Sequence, residues 1–109
     1  MVDRAVVESV RAYLRNVEKS GIPIPFGVVF GSQARGKTDV SSDIDLIVVS
    51  PQFDGPKRRE DVQLLWRLAA RTDTRIEPVP CGERQWEEDD ASALIEIARR
   101  EGQRIAISE

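Results

Sequence analysis

Small and acidic residues with the chemistry of a phosphate site recur within one segment of the first half of the chain. Gly31 and Ser32 follow the apolar run Phe26–Phe30. A second apolar run begins with Asp43 and Asp45, which are separated by a single residue. Glycine lets the backbone approach a phosphate closely, and serine offers it a hydroxyl and an amide. Two carboxylates on one face of a strand repel each other unless cations lie between them, and Mg²⁺ prefers such oxygen ligands. The spacing therefore predicts a site for a phosphorylated ligand and its metal.

Each half of this pattern also has a simpler interpretation. A Gly-Ser pair after a strand is often only a turn, and an Asp-x-Asp at a strand start is often a solvated or capping pair. The combination is harder to explain in this way, because a buried strand follows the acidic pair directly.

The segment GSQARGKT also satisfies the P-loop pattern G-x-x-x-x-G-K-[ST] in every fixed letter. A P-loop needs its Lys and Thr to open a helix whose N-terminal amides point at the phosphates. Here Lys37 and Thr38 are followed by a few polar residues and then by the strand that begins at Ile44. Three helical turns do not fit, so a P-loop nucleotide hydrolase is only the minor alternative.

The elements that must position these residues follow from periodicity and from turn residues. Helical spacing predicts helices over about 3–20, 58–71 and 91–100 and a helical turn over 83–89. Apolar runs predict strands over 26–30, 44–49, 75–79 and 104–107, and Pro78 places the third at an edge or strand end. The non-alternating second strand is expected to be buried on both faces. This order predicts a sheet backed by helices.

Three large side chains receive structural predictions from the same periodicity. Trp66 and Leu94 fall on the inward stripes of their helices, and we expect both in the core. Trp86 lies in a charged stretch, and we expect it to cover the sheet edge rather than to bind a base or a partner.

Composition narrows the chemistry and the surroundings. The chain of 109 residues predicts one domain over 1–109, and no apolar stretch is long enough for a membrane span. The absence of histidine excludes Ser-His-Asp catalysis and His-based zinc sites. The lone Cys81 and an N-terminus without an apolar signal core fit a cytoplasmic protein. The net charge of −3 argues against a general nucleic-acid surface.

The motif resembles the minimal nucleotidyltransferases of the DNA polymerase β superfamily. Their signature is Gly-Ser, about ten residues, then Asp-x-Asp, which Gly31, Ser32, Asp43 and Asp45 match together with the flanking letters Ala-Arg-Gly and Ser-Asp-Ile-Asp-Leu. The resemblance implies an α/β (α+β) fold with a small mixed sheet of about four strands flanked by helices. It also implies transfer of a nucleoside monophosphate from an NTP to an acceptor hydroxyl, with pyrophosphate leaving.

The resemblance implies a role for each carboxylate. Asp43 and Asp45 would hold two Mg²⁺ ions, with Mn²⁺ as an alternative metal. A third carboxylate from a later strand, for which Glu77 is the candidate, would complete the metal site nearest the acceptor and take its proton. The family more often has Asp at this point, and Glu is one methylene longer.

Other interpretations of this third position remain open. Asp73 and Glu83 are weaker candidates because both lie outside the predicted strand. Glu77 could also be a surface glutamate of a strand, paired with Arg75 or Arg104.

The resemblance also assigns the phosphate-binding residues. Gly31 and Ser32 would hold the β- and γ-phosphates of the nucleotide, with ATP as the expected substrate. Arg35 and Lys37 lie in the same loop and could steady the triphosphate. For Arg35 a role in bracing the loop is an equal alternative, and Lys37 could simply be solvated.

Short stand-alone members of the superfamily often act beside a small helical HEPN protein, as the antitoxin of a toxin–antitoxin pair. Some of them attach AMP to a tyrosine of that partner. The resemblance therefore implies a HEPN-type partner and an adenylyl transfer to it. The alternative is a non-catalytic nucleotide- or partner-binding module that neutralises its partner by contact alone.

Overall fold

The computed structural model describes residues 2–36 and 42–107. The α-helices of these residues, in chain order, are α1 (Arg4–Lys19), α2 (Ser32–Arg35), α3 (Arg59–Thr72), α4 (Glu83–Glu88) and α5 (Ala93–Glu101), and a short 3-10 helix spans Pro51–Phe53. The strands are β1 (Phe26–Phe30), β2 (Ile44–Ser50), β3 (Ile76–Gly82) and β4 (Gln103–Ile105). In these two segments no helix is both long and apolar enough to cross a membrane.

The four strands form one mixed sheet in the order β3-β2-β1-β4. β1 pairs with β2 and with β4 in antiparallel fashion, whereas β2 and β3 are parallel. The predicted fold class is confirmed, and β3, with Pro78 and Pro80, is an edge strand as expected. Because β1 and β2 are adjacent and antiparallel, the segment between them is not the crossover of a βαβ unit, which argues further against a P-loop.

Both faces of the sheet are covered by helices, which explains the non-alternating apolar sequence of β2. Leu46 and Val48 of β2 belong to a core that contains residues of α1 and α3. Ile47 and Val49 belong to a second core with residues of α4 and α5. β2 is therefore buried on both faces, as predicted, and only Asp45 interrupts its series of buried residues.

The predicted burial of Trp66 is wrong, since 48% of this residue is exposed. Helix α3 packs through Leu65 and Ala69, which are buried, and through Leu68, which is partly buried against the same core. Successive residues of a helix are about 100° apart, so a stripe centred near Leu65 and Leu68 leaves Trp66 on its outer margin.

On the second face of the sheet, the predicted burial of Leu94 is wrong, whereas Trp86 is buried. Leu94 is 40% exposed, because α5 contacts the sheet through Ile95 and Ala98 instead. Trp86 is buried and meets the Phe26 ring edge-on, with the ring centroids 6.0 Å apart. Trp86 is thus a core residue. It has the structural role that we predicted, but on the face of the sheet rather than at its edge.

Candidate active site

A single helical turn, which the sequence did not predict, joins β1 to the segment before β2. The turn α2 lies between Gly31 and Gly36, whose φ angles are 73° and 72°. Glycine adopts such positive φ angles at no steric cost. The backbone N–H of Arg35 donates to the Gly31 carbonyl at 3.3 Å. The two glycines therefore reverse the chain directly after β1 and place Ser32 at the start of the turn.

Gly31 lies directly against the carboxylate of Asp45. The antiparallel register pairs Phe30 with Asp45, which brings the residue after Phe30 to the same end of the sheet. A Cβ atom at Gly31 would come closer than 3.0 Å to Asp45 Oδ2. The two halves of the sequence motif are thus in contact, and any side chain at Gly31 would require the Asp45 carboxylate to move.

The three predicted carboxylates lie at one end of the sheet. Asp45 of β2 is the register partner of Glu77 in the parallel strand β3, and Asp43 precedes β2 by one residue. A hydrogen bond between the Asp43 and Glu77 carboxyl groups, followed by burial and the charges of Asp43 and Asp45, raises the pKa of Glu77. Burial and the Asp43 charge raise the pKa of Asp45, and the Arg35 charge partly opposes this.

The donor set fits a divalent cation such as Mg²⁺. All three side chains offer carboxylate oxygens, which Mg²⁺ prefers. The contact with Asp43 comes first among the causes that raise the pKa of Glu77, and for Asp45 burial comes first and the Asp43 charge second; a nearby cation favours the charged form of both carboxylates. Within residues 2–36 and 42–107, no group of three or more Asp, Glu, Cys or His side chains is placed so that it could hold a metal ion. Cation binding by all three carboxylates would therefore require their side chains to converge further than they do in this arrangement.

Of the other two candidates for the third carboxylate, one accepts hydrogen bonds from an arginine and the other follows the far end of β3. Asp73 accepts hydrogen bonds from the Arg75 guanidinium, at 3.0 Å from Nε and 2.8 Å from Nη2. Glu83 follows the far end of β3, where Gly82 pairs with the last residue of β2. Glu77, by contrast, is the register partner of Asp45 and stays the candidate for the third carboxylate.

Within the described part of the chain, both arginines considered as surface partners of Glu77 make other contacts. The Arg75 guanidinium is held by Asp73, and the Arg104 guanidinium lies over the Phe26 ring, 3.8 Å from its centroid. The sequence alone could not separate these arrangements, because each depends on how distant strands pair.

Of Arg35 and Lys37, the two basic residues that could steady the triphosphate, only Arg35 lies among the described residues. Arg35 Nη1 lies 3.5 Å from Glu101 Oε1 at the end of α5, and both side chains are substantially exposed. This contact joins the loop to α5, while the same positive charge opposes part of the rise in the pKa of Asp45. Lys37 lies outside the described residues.

One residue of the site, Gln33, was not predicted. It is 3% exposed, and its side-chain Nε2 donates to the carbonyls of Ser42 (3.2 Å) and Asp43 (3.3 Å). A glutamine among small residues carries no distinctive sequence signal. A buried amide in an otherwise polar loop is recognisable only once the loop is folded.

Comparison with known proteins adds a family to this geometry. A family model described as a nucleotidyltransferase domain matches residues 17–103 of the chain. No curated protein matches the chain at a significant level.

Solved structures share the fold at low sequence identity. A proposed nucleotidyltransferase from Sulfolobus solfataricus is 20% identical with a TM-score of 0.56, covering 74% of this chain and 70% of its own. A toxin–antitoxin solved with AMP-PNP is 20% identical with a TM-score of 0.58, covering 86% and 70%. A mutant of the toxin–antitoxin MntA–HpeT is 18% identical with a TM-score of 0.56, also covering 86% and 70%.

Proposed function

Because the chain belongs to the nucleotidyltransferase domain family, we propose that it transfers AMP from ATP to a hydroxyl group of a partner protein and releases pyrophosphate. The observation that carries this proposal is the contact between Gly31 and the Asp45 carboxylate. It brings a backbone turn able to approach phosphate next to carboxylates able to bind a cation, which is the pairing that nucleotidyl transfer needs.

Each residue of the site has a proposed role in holding the reactants. Gly31 lets the backbone approach the β- and γ-phosphates, and Ser32 offers its hydroxyl and amide to them. Asp43, Asp45 and Glu77 would hold two Mg²⁺ ions. When bound, Mg²⁺ neutralises the triphosphate oxygens and the charge that develops during transfer.

The transfer itself exchanges one phosphorus–oxygen bond for another. The acceptor hydroxyl oxygen forms a bond to the α-phosphorus, and the bond from that phosphorus to the bridging oxygen of the β-phosphate breaks. The electron pair of the broken bond leaves with pyrophosphate. The hydroxyl proton passes to the Glu77 carboxylate, the candidate general base of the site.

The partner proposed is a small helical HEPN-type protein, with this chain as the antitoxin. Two structures with this fold are named as toxin–antitoxin proteins, and one of them was solved with the ATP analogue AMP-PNP. These names support a nucleotide substrate and a protein partner for this chain as well. The proposed unit of function is a single nucleotidyltransferase domain over residues 1–109.

Label transfer tests the proposal. The chain is incubated with α-labelled ATP and Mg²⁺, with and without a co-expressed HEPN-type protein, and label on protein and released pyrophosphate are both measured. We expect labelling of the partner with one pyrophosphate per label. Asp43→Asn should lower the rate by at least about 100-fold, because one metal ligand and its charge are lost.

Glu77→Gln and Glu83→Gln form a matched pair in the same assay. Both remove one carboxylate near β3, but only Glu77 lies beside Asp45. We expect the first variant to lose activity and the second to keep it. A wild-type chain that binds its partner tightly, yet never labels any protein, would instead favour the non-catalytic binding module.

A further inference from the structure

The peptide group that follows Asp43 is held from two sides. On one side, the Asp43 carbonyl accepts a hydrogen bond from Gln33 Nε2 at 3.3 Å. On the other side, the N–H of Ile44 donates to the Arg75 carbonyl at 2.8 Å, where the pairing of β2 with β3 begins. A peptide group is planar, so these two contacts together fix its orientation and, with it, the backbone that carries the Asp43 side chain.

The hydrogen bonds of Gln33 connect the turn α2 to the segment that carries Asp43. Gln33 lies in the helical turn α2, one residue after Ser32, and its amide also donates to the Ser42 carbonyl at 3.2 Å. Since Gln33 is 3% exposed, water does not readily replace these bonds. A displacement of the turn on phosphate binding would therefore be transmitted to the backbone at Asp43.

We propose that Gln33 is a positioning residue that couples the phosphate-binding turn to the metal-binding carboxylates. This inference rests on the proposed nucleotidyl transfer and adds how its two half-sites are held in register. The contacts of the Gln33 amide are with backbone carbonyls, so we assign it no direct role in binding phosphate or metal. Its amide sets the place of Asp43 relative to Glu77 and Asp45.

The test replaces the amide by a group of similar length that cannot donate. Gln33→Met keeps a side chain of similar length and leaves the Ser42 and Asp43 carbonyls without the amide. Mn²⁺ binding without nucleotide is measured by the EPR signal of the free ion. We expect the Kd for Mn²⁺ to rise about five- to tenfold, as the loss of two buried hydrogen bonds to one ligand-bearing segment predicts.

A matched control separates positioning from general stability. Gln103 Oε1 accepts a hydrogen bond from the Val2 N–H at 3.0 Å, which also joins distant parts of the chain, and it lies outside the proposed site. Gln103→Met should lower the unfolding temperature yet leave the Kd for Mn²⁺ unchanged.

In Gln33→Met, raising the Mg²⁺ concentration should restore most of kcat, while the KM for ATP at saturating Mg²⁺ changes less than about twofold.

A second readout does not depend on metal. Amide hydrogen exchange of Ile44 should accelerate at least about tenfold in Gln33→Met, because this variant removes one of the two hydrogen bonds that hold the peptide group between Asp43 and Ile44. In Gln103→Met the exchange of Ile44 should stay unchanged. Unchanged exchange together with unchanged Mn²⁺ affinity in Gln33→Met would overturn the coupling while wild-type label transfer continues. A wild-type chain that binds no Mn²⁺ and transfers no label would overturn the proposed function, and the coupling with it.

Discussion

At the scale of single residues, Gly31 is subject to two separate constraints. Its φ of 73° is a conformation that side chains with a Cβ adopt only at a cost, and a Cβ would also collide with the Asp45 carboxylate. Gly55 has a similar φ of 83° but open space around it. The two glycines therefore share the conformational constraint and differ in the steric one.

Substitution of both glycines by alanine separates these constraints. We expect Gly55→Ala to cost about 1 kcal/mol of unfolding free energy and Gly31→Ala about 2–3 kcal/mol, measured by urea denaturation. Gly31→Ala should also abolish label transfer at temperatures where it is fully folded, while Gly55→Ala remains active. Equal costs for the two variants would show that the Asp45 contact is not restrictive.

Residue identity alone revealed most of the candidate site, but not how it is assembled. Gly31, Ser32, Asp43 and Asp45 could be named from the sequence because they lie within one short segment with a distinctive spacing. Glu77 remained one of several candidates, since the register of β2 on β3 depends on contacts between segments far apart in sequence.

At the scale of elements, the strand nearest the motif was predicted best. The apolar run Phe26–Phe30 coincides with β1, and the acidic pair marks the start of β2. The predicted inward faces of α3 and α5 were less accurate, as the exposure of Trp66 and Leu94 shows. Periodicity predicts an apolar stripe along a helix, but not the angle at which that stripe packs against the neighbouring element. The turn α2 was missed because so short a helix depends on its flanking glycines and tertiary contacts rather than on propensity.

The connection from α3 to β3 provides a prediction of pH dependence. Asp73 accepts from both the backbone N–H and the guanidinium of Arg75, and the side-chain hydrogen bond is the main reason why its pKa lies below the ordinary value. A lowered pKa means that the unfolded chain binds this proton first as pH falls from neutral. The pair therefore stabilises the fold fully above about pH 5 and loses its effect as pH drops through the lowered pKa.

Asp73→Asn should consequently lower the free energy of unfolding by about 1–2 kcal/mol at pH 7, and by much less near pH 2.5. Urea denaturation across this pH range measures the difference from wild type. Asp90→Asn, which removes an exposed carboxylate, is the control and should have little effect at any pH. A constant difference between Asp73→Asn and wild type would contradict the assigned cause.

At the scale of the whole molecule, one sheet separates two apolar cores. The first lies between the sheet and the long helices α1 and α3, and the second lies beneath α4 and α5. Alternate residues of β2 belong to each core, so loss of this central strand would expose both. The candidate site, at one end of β2, depends on the same strand. We therefore expect the two cores to unfold together.

Tryptophan fluorescence and circular dichroism can test this cooperativity because they report on different faces. Trp66→Phe removes the exposed indole and leaves buried Trp86 as the reporter of the second core. Far-UV circular dichroism is dominated by α1 and α3, of 16 and 14 residues, on the first face. In urea, the two signals of Trp66→Phe should give coincident midpoints and m-values. If the Trp86 transition precedes the loss of helix, the cores are separate units, and the carboxylate site can open without global unfolding.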